Sequence, residues 1–116
     1  MVLVFAESQK GQFKKAAFEA GTFGYKTAQS LGVECAALVL GTAGNAAELG
    51  RYGAARVLHV ADAALDTFDS QVYAAVIADA ARQTGASVVV VSATSNGKAL
   101  LGRLAASLTI RDLHEQ

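Results

Sequence analysis

Four short apolar runs punctuate the chain, and polar or helix-periodic stretches separate them. Residues 2–6 (VLVFA), 35–40 (CAALVL), 56–60 (RVLHV) and 88–91 (VVVV) read as strands. The last is a row of β-branched residues, which suits a parallel strand covered on both faces. Residues 13–31 follow a 3.6-residue period, with Phe13, Ala16, Ala17, Ala20, Phe23, Ala28 and Leu31 on one stripe. Gly21 and Gly24 lie inside that stretch and either permit close packing against a sheet or mark a kink; Gly32 is the stop signal. A turn over residues 41–45 (GTAGN) leads to a short helix over 46–52 that ends at Gly53. Residues 61–69 form an acidic linking segment. Ser70 is the expected N-cap of a helix over 71–84, with Tyr73, Val76, Ile77, Ala80 and Ala81 inside and Gly85 as its end. Gly97 opens the last helix, where Ala99, Leu100, Arg103, Leu104, Ala105 and Leu108 recur at helical spacing.

The alternation β-α-β-α-β-α-β-α predicts an α/β fold with a parallel sheet and right-handed crossovers. Residues 87–108 (SVVVVSATSNGKALLGRLAASL) hold a buried strand, a polar turn and a helix, and the turn after a strand's carboxyl end is where such sheets bind ligands. Residues 109–116 (TIRDLHEQ) are too few for a further βα unit. They either extend an element slightly or end the chain before its domain is finished. Exposed sheet edges in a four-stranded sheet call for cover or a partner.

Composition narrows the function classes. The 116 residues suffice for one domain, and 53% hydrophobic with 17% charged describes a chain that can bury a core. Formal net charge is zero, and no run of Lys or Arg exceeds two, so neither a nucleic-acid nor a membrane surface role has electrostatic support. No apolar run approaches the roughly 18 residues of a transmembrane span. Residues 1–6 are too short for a signal peptide's apolar region and have no basic residue before them. The expected location is the cytoplasm. Cys35 has no intrachain disulfide partner and lies in an apolar strand, which predicts an inert core thiol.

Candidate chemistry centres on the turn at residues 92–98 (SATSNGK). Backbone N–H groups at a helix N-terminus together with Lys98 suit an anion, which makes Ser95, Asn96, Gly97 and Lys98 a candidate nucleotide turn. A phosphate-binding P-loop needs Gly where Ser92 stands and Ser or Thr where Ala99 stands, so this is not one. The plainer reading, favoured by how common such caps are, is a βα turn with Asn96 or Ser95 as the cap. The turn after the first strand, residues 7–11 (ESQKG), lacks the Ser- and Gly-rich phosphate loop of ATP-pyrophosphatase-type enzymes and reads as a solvated loop. Residues 41–44 (GTAG) signal a tight turn, and G-x-G-x-x-G follows none of the strands. His59 and His114 have no Cys/His cluster around them, so neither reads as a metal ligand. No residue pattern assembles a nucleophile with a base, so no catalytic residue is expected. Arg103 falls beside apolar neighbours. It either covers them with its stem, as most helix arginines do, or contacts a partner subunit or an anion.

Residues 49–62 (LGRYGAARVLHVAD), the helix of Tyr73 and residues 92–108 (SATSNGKALLGRLAASL) resemble the N-terminal region of the electron transfer flavoprotein alpha subunit. Residues 2–7 (VLVFAE) are similar to the family's first strand, which also runs into a Glu. The resemblance covers residues 1–108 in order and spacing. It implies a three-layer sandwich of the adenine nucleotide alpha hydrolase-like kind with strand order 3-2-1-4. In that order the turns at 7–11 and 92–98 face one crevice. It also implies a beta-subunit partner and one FAD in the heterodimer, held mainly by a C-terminal domain that this sequence lacks. AMP, where present, belongs to the beta subunit, and electrons pass from dehydrogenases to an acceptor. On this reading residues 1–116 are a single, incomplete N-terminal domain. It serves as scaffold and subunit contact, is not itself an enzyme, and carries neither flavin nor tight nucleotide. Gly102 stands where the family often has Pro, and none of the family's flavin-contact motifs maps onto this chain. Two rivals are a stand-alone nucleotide-binding module resembling universal stress proteins and a dimerisation domain pairing through sheet edges. For the first, Gly97 and Gly102 make a poor phosphate loop. The second would make the isolated chain a homodimer.

Overall fold

The computed structural model describes residues 1–9, 12–13, 15–42, 56–92 and 94–107. Four strands, β1 (Val2–Phe5), β2 (Cys35–Leu40), β3 (Arg56–Val60) and β4 (Val88–Val90), form one parallel sheet in the order 3-2-1-4. Val2 lies opposite Cys35 on one side and Val88 on the other, so the first strand of the chain is central. Three helices, α1 (Lys15–Leu31), α2 (Ser70–Thr84) and α3 (Ser95–Ser107), cover the sheet. The strand alternation decides which helix covers which face. Val2, Val4, Cys35, Val88 and Val90 point to α1, where they meet Ala20 and Ala28. Leu3, Phe5, Leu38, Leu40 and Val89 point to the other face and meet Tyr73, Ile77, Leu100 and Leu104 of α2 and α3. This is the expected three-layer α/β sandwich.

The two centre strands are buried along their whole length, as their unbroken apolar runs require. β3 is an edge strand, with Arg56, His59 and Val60 exposed. Between β3 and α2 a 3₁₀ turn over Ala63–Leu65 is capped by Asp62, whose Oδ1 accepts from Ala64 N at 2.9 Å.

Several local expectations are corrected. Phe13 belongs not to α1 but to a two-residue antiparallel ribbon in which Gln12–Phe13 pairs with Ser8–Gln9, so residues 7–9, with Glu7 buried, are not simply a solvated loop. The inner stripe of α1 is Ala17, Ala20, Gly24 and Ala28, whereas Phe23 is 49% and Leu31 54% exposed. The stripe is made of small residues because the helix lies very close to the sheet. A Cβ on Gly24 would collide with Val4 Cγ2, so close packing, not a kink, accounts for that glycine. Asp69, not Ser70, caps α2: its Oδ1 accepts from Gln71 N at 2.9 Å and Val72 N at 3.2 Å. An acceptor oxygen one position before Ser70 reaches the first free N–H groups, and Ser70 becomes the first helical residue. Gly85 ends α2 in the left-handed conformation, as its sequence position predicts. The short helix read over 46–52, Lys10, Gly11, Leu108, His114 and the tail at 109–116 lie outside the described residues.

Candidate functional site: the crevice between β1 and β4

The sheet order reverses between β1 and β4, and the two chain segments that leave these strands meet there. Glu7 follows β1 and is 4% exposed. Its Oε1 accepts the Thr94 hydroxyl at 2.6 Å, and its Oε2 accepts the Asn96 amide at 3.2 Å. Thr94 Oγ1 in turn accepts from Gly97 N at 3.0 Å, and the Thr94 carbonyl accepts from Lys98 N at 2.9 Å. Thr94 is therefore the cap of α3, and the helix starts at Ser95 rather than at Gly97, with neither Asn96 nor Ser95 as its cap. Ser92 is buried, and its hydroxyl donates to the Ala16 carbonyl at 3.1 Å, tying the end of β4 to the start of α1.

Gly97 explains how tightly this turn is drawn. A Cβ there would run into the Ser92 carbonyl oxygen, so a glycine lets the first turn of α3 rest against the end of β4. The first turn of α3 therefore rests directly on the Ser92 carbonyl. Asn96 is half-buried with its amide turned to Glu7, whereas Ser95 and Lys98 are exposed.

Beside Glu7 lies a cavity of about 260 Å³, lined by Glu7, Ser8, Asp66, Thr67, Phe68, Tyr73 and Asn96. Asp66 Oδ1 accepts from Thr42 N at 2.7 Å, which ties the turn after β2 to the turn before α2. Tyr73 donates its hydroxyl to the Leu65 carbonyl, and its ring packs edge-on against Phe5 and Phe68. Burial, then the charges of Asp66 and Glu7, push the Tyr73 phenol above its ordinary value. The cavity is aromatic on one wall and carries two carboxylates.

The other residues singled out by the sequence lie away from this crevice. Cys35 is buried under α1, and burial pushes its thiol up, as expected for an inert core residue. His59 is on the exposed edge strand, and its Nε2 donates to the Gly41 carbonyl at 2.6 Å. Among the described residues no group of three or more His, Cys, Asp or Glu could hold a metal ion. Arg103 is exposed on α3, and its Nε donates to Ser70 Oγ at 3.0 Å, joining α3 to the first turn of α2. Sequence reasoning missed Glu7 and Asp66. The available signal was an acid placed directly after an all-apolar strand and facing, in a parallel sheet, a turn of hydroxyl and amide residues.

The electron transfer flavoprotein domain matches residues 2–111. The chain belongs to that family. Among curated proteins it is 34% identical over 112 residues to Protein FixB of Azorhizobium caulinodans, covering 92% of this chain and 30% of that protein. It is also 34% identical over 108 residues to Protein FixB of Clostridium saccharobutylicum, covering 92% of this chain and 32% of the relative. The electron transfer flavoprotein subunit alpha of Clostridium acetobutylicum is 34% identical over 110 residues, covering 93% and 33%. The chain thus spans about a third of the length of these relatives. Its four-stranded parallel sheet is the α/β fold expected of an electron transfer flavoprotein domain. Among the described residues no helix is long and apolar enough to cross a membrane.

Pockets that enclose drug-sized ligands usually span about 300–1,000 Å³. The cavity beside Glu7, at about 260 Å³, lies below that range, and its two carboxylates would repel an anion. A cavity of about 390 Å³ opens beside α1 at the end of β4, lined by Ala16, Ala20, Phe23, Val90, Ser92 and Thr94 among others.

Proposed function

We propose that this chain is the N-terminal α/β portion of an electron transfer flavoprotein alpha-type subunit. It acts as a scaffold and subunit-contact domain in an FAD-containing heterodimer that carries electrons from dehydrogenases to an acceptor in the cytoplasm. On this reading the chain performs no chemistry itself, and the FAD is held outside residues 1–116. The observation that carries the proposal is the family match over residues 2–111, joined to a coverage of about a third of the alpha-type relatives. The self-occupied crevice supports it further, because Thr94 and Asn96 both donate to Glu7 where a nucleotide-binding sheet would present free donors. Arg103 is the residue of this chain proposed to contact the partner subunit. It is exposed, and its guanidinium Nε donates to Ser70 Oγ.

Native mass spectrometry of the chain, alone and mixed with its beta subunit, tests the reading. The expected result is a colourless chain without added ligand mass that gains one beta subunit. Stoichiometric FAD on the chain alone, or failure to bind the beta subunit, overturns it. Added mass equal to AMP or ATP, again without beta binding, would instead favour a nucleotide module and direct mutation to Ser95, Asn96, Gly97 and Lys98. A dimer of the chain alone that refuses the beta subunit would favour the edge-pairing domain.

A further inference from the structure

Among the described residues Glu7 is the buried acid, and nothing in the scaffold reading uses it. A carboxylate taken out of water needs compensation by hydrogen bonds or charge. Part of that compensation comes from the segment that begins α3: from Thr94 at 2.6 Å and from Asn96 at 3.2 Å. The Thr94 hydroxyl accepts from Gly97 N and donates to Glu7, so one hydroxyl couples the electropositive start of the helix to the carboxylate. Glu7 reaches this point from β1, across the position where the strand order reverses. In open α/β sheets that crevice is where ligand anions are held.

We infer that Glu7 is the built-in anion of this crevice: its carboxylate takes the place a ligand phosphate would take and closes the turn to nucleotides and phosphate esters. A phosphate brought within hydrogen-bond reach of Asn96 and Thr94 would displace the carboxylate or lie beside it as a like charge in a poorly solvated site. Gly97 adds to the exclusion, since the first turn of α3 is already pressed on the Ser92 carbonyl. The same contact pins α3 to the central strand, so one residue both excludes a ligand class and fixes the helix. This role is independent of the subunit reading and would stand if the chain failed to bind a beta subunit.

The test compares the wild-type chain with Glu7→Ala and Glu7→Gln. Thermal unfolding is followed in chloride, formate and phosphate at equal ionic strength, and the backbone amides of Ser95, Asn96 and Gly97 are followed by NMR as phosphate and AMP are added. The wild-type amides should not move. Glu7→Ala should lose roughly 5–10 °C in chloride, and formate or phosphate should restore part of that loss and shift those amides. Glu7→Gln keeps the shape without the charge and should also be less stable than wild type. Phosphate or AMP shifting the wild-type amides would overturn the inference, as would an alanine variant that responds equally to all three salts. If Glu7→Ala does not fold in any salt, Glu7→Gln decides: a midpoint equal to wild type rejects the built-in anion, and a lower one upholds it.

Discussion

One sheet is closed by two different kinds of packing. On the α1 side the helix backbone is pressed onto the side chains of the sheet: Ala17, Ala20, Gly24 and Ala28 face it, and Val4 Cγ2 lies where a Gly24 side chain would be. On the α2–α3 side bulk does the filling, with Leu3, Phe5, Leu38, Tyr73, Ile77, Leu100 and Leu104 interlocked. On the first face the helix itself has almost no side-chain volume to lose. The second has volume, aromatic edges and a buried hydroxyl to lose. Tolerance to substitution should therefore invert between them: truncation should hurt the second face and enlargement the first.

The largest effect should come from truncation on the bulky face. Ile77→Ala removes a fully buried side chain and should cost about 2–5 kcal/mol, read as a lower midpoint in urea unfolding. The mirror experiment enlarges the thin face. Gly24→Ala should cost about 1–3 kcal/mol through overpacking against Val4, partly offset by better helix propensity. If Gly24→Ala instead stabilises the chain, the close approach of α1 is wrong and the contrast fails. A smaller effect is expected at Tyr73, where Tyr73→Phe removes the bond to the Leu65 carbonyl for about 1 kcal/mol.

The same tyrosine gives the contrast a pH dependence. Its folded phenol titrates above the ordinary value because of burial and the nearby Asp66 and Glu7 carboxylates. Below the unfolded value of about 10 both states are neutral, and this contribution is complete. As pH rises past it the unfolded chain ionises first, so stability falls toward the folded pKa. Tyr73→Phe should make the alkaline loss shallower in a series of unfolding curves. Cys35 shifts in the same sense through burial on the thin face. The smallest expected signal is kinetic: Cys35 should react with a thiol reagent at the rate of global unfolding, and fast native labelling would show that α1 lifts from the sheet.

The sequence made the sheet legible because its strands are unbroken apolar runs: residues 35–40 and 56–60 were read with their observed bounds. The alternation of strands and helices sufficed for a parallel sheet. The inner face of α1 was less legible, because hydrophobicity favoured Phe23 and Leu31 whereas proximity to the sheet selects Gly24 and the alanines. Size, not polarity, decides that face, and a pattern of apolar positions does not record size. The caps at Asp69 and Thr94 each fell one residue or more before the positions read, because several neighbouring side chains could reach the same N–H groups. The crevice was legible as a place, since two turns at the strand ends had to share it. Its chemistry was not, because the decisive contact joins Glu7 to Thr94 across most of the chain.

The central position of β1 governs when this protein can fold. Residues 2–5 leave the ribosome before either neighbouring strand, yet one edge of β1 is completed by Cys35–Leu38 and the other by Val88–Val90. Until the fourth strand has been synthesised, β1 carries an open apolar edge, and such edges are aggregation-prone. Long-range parallel pairing of this kind also slows folding, since a long loop must close before the contact rewards it. A nascent chain stopped before residue 88 should therefore remain chaperone-bound, and its release should coincide with emergence of VVV from the exit tunnel.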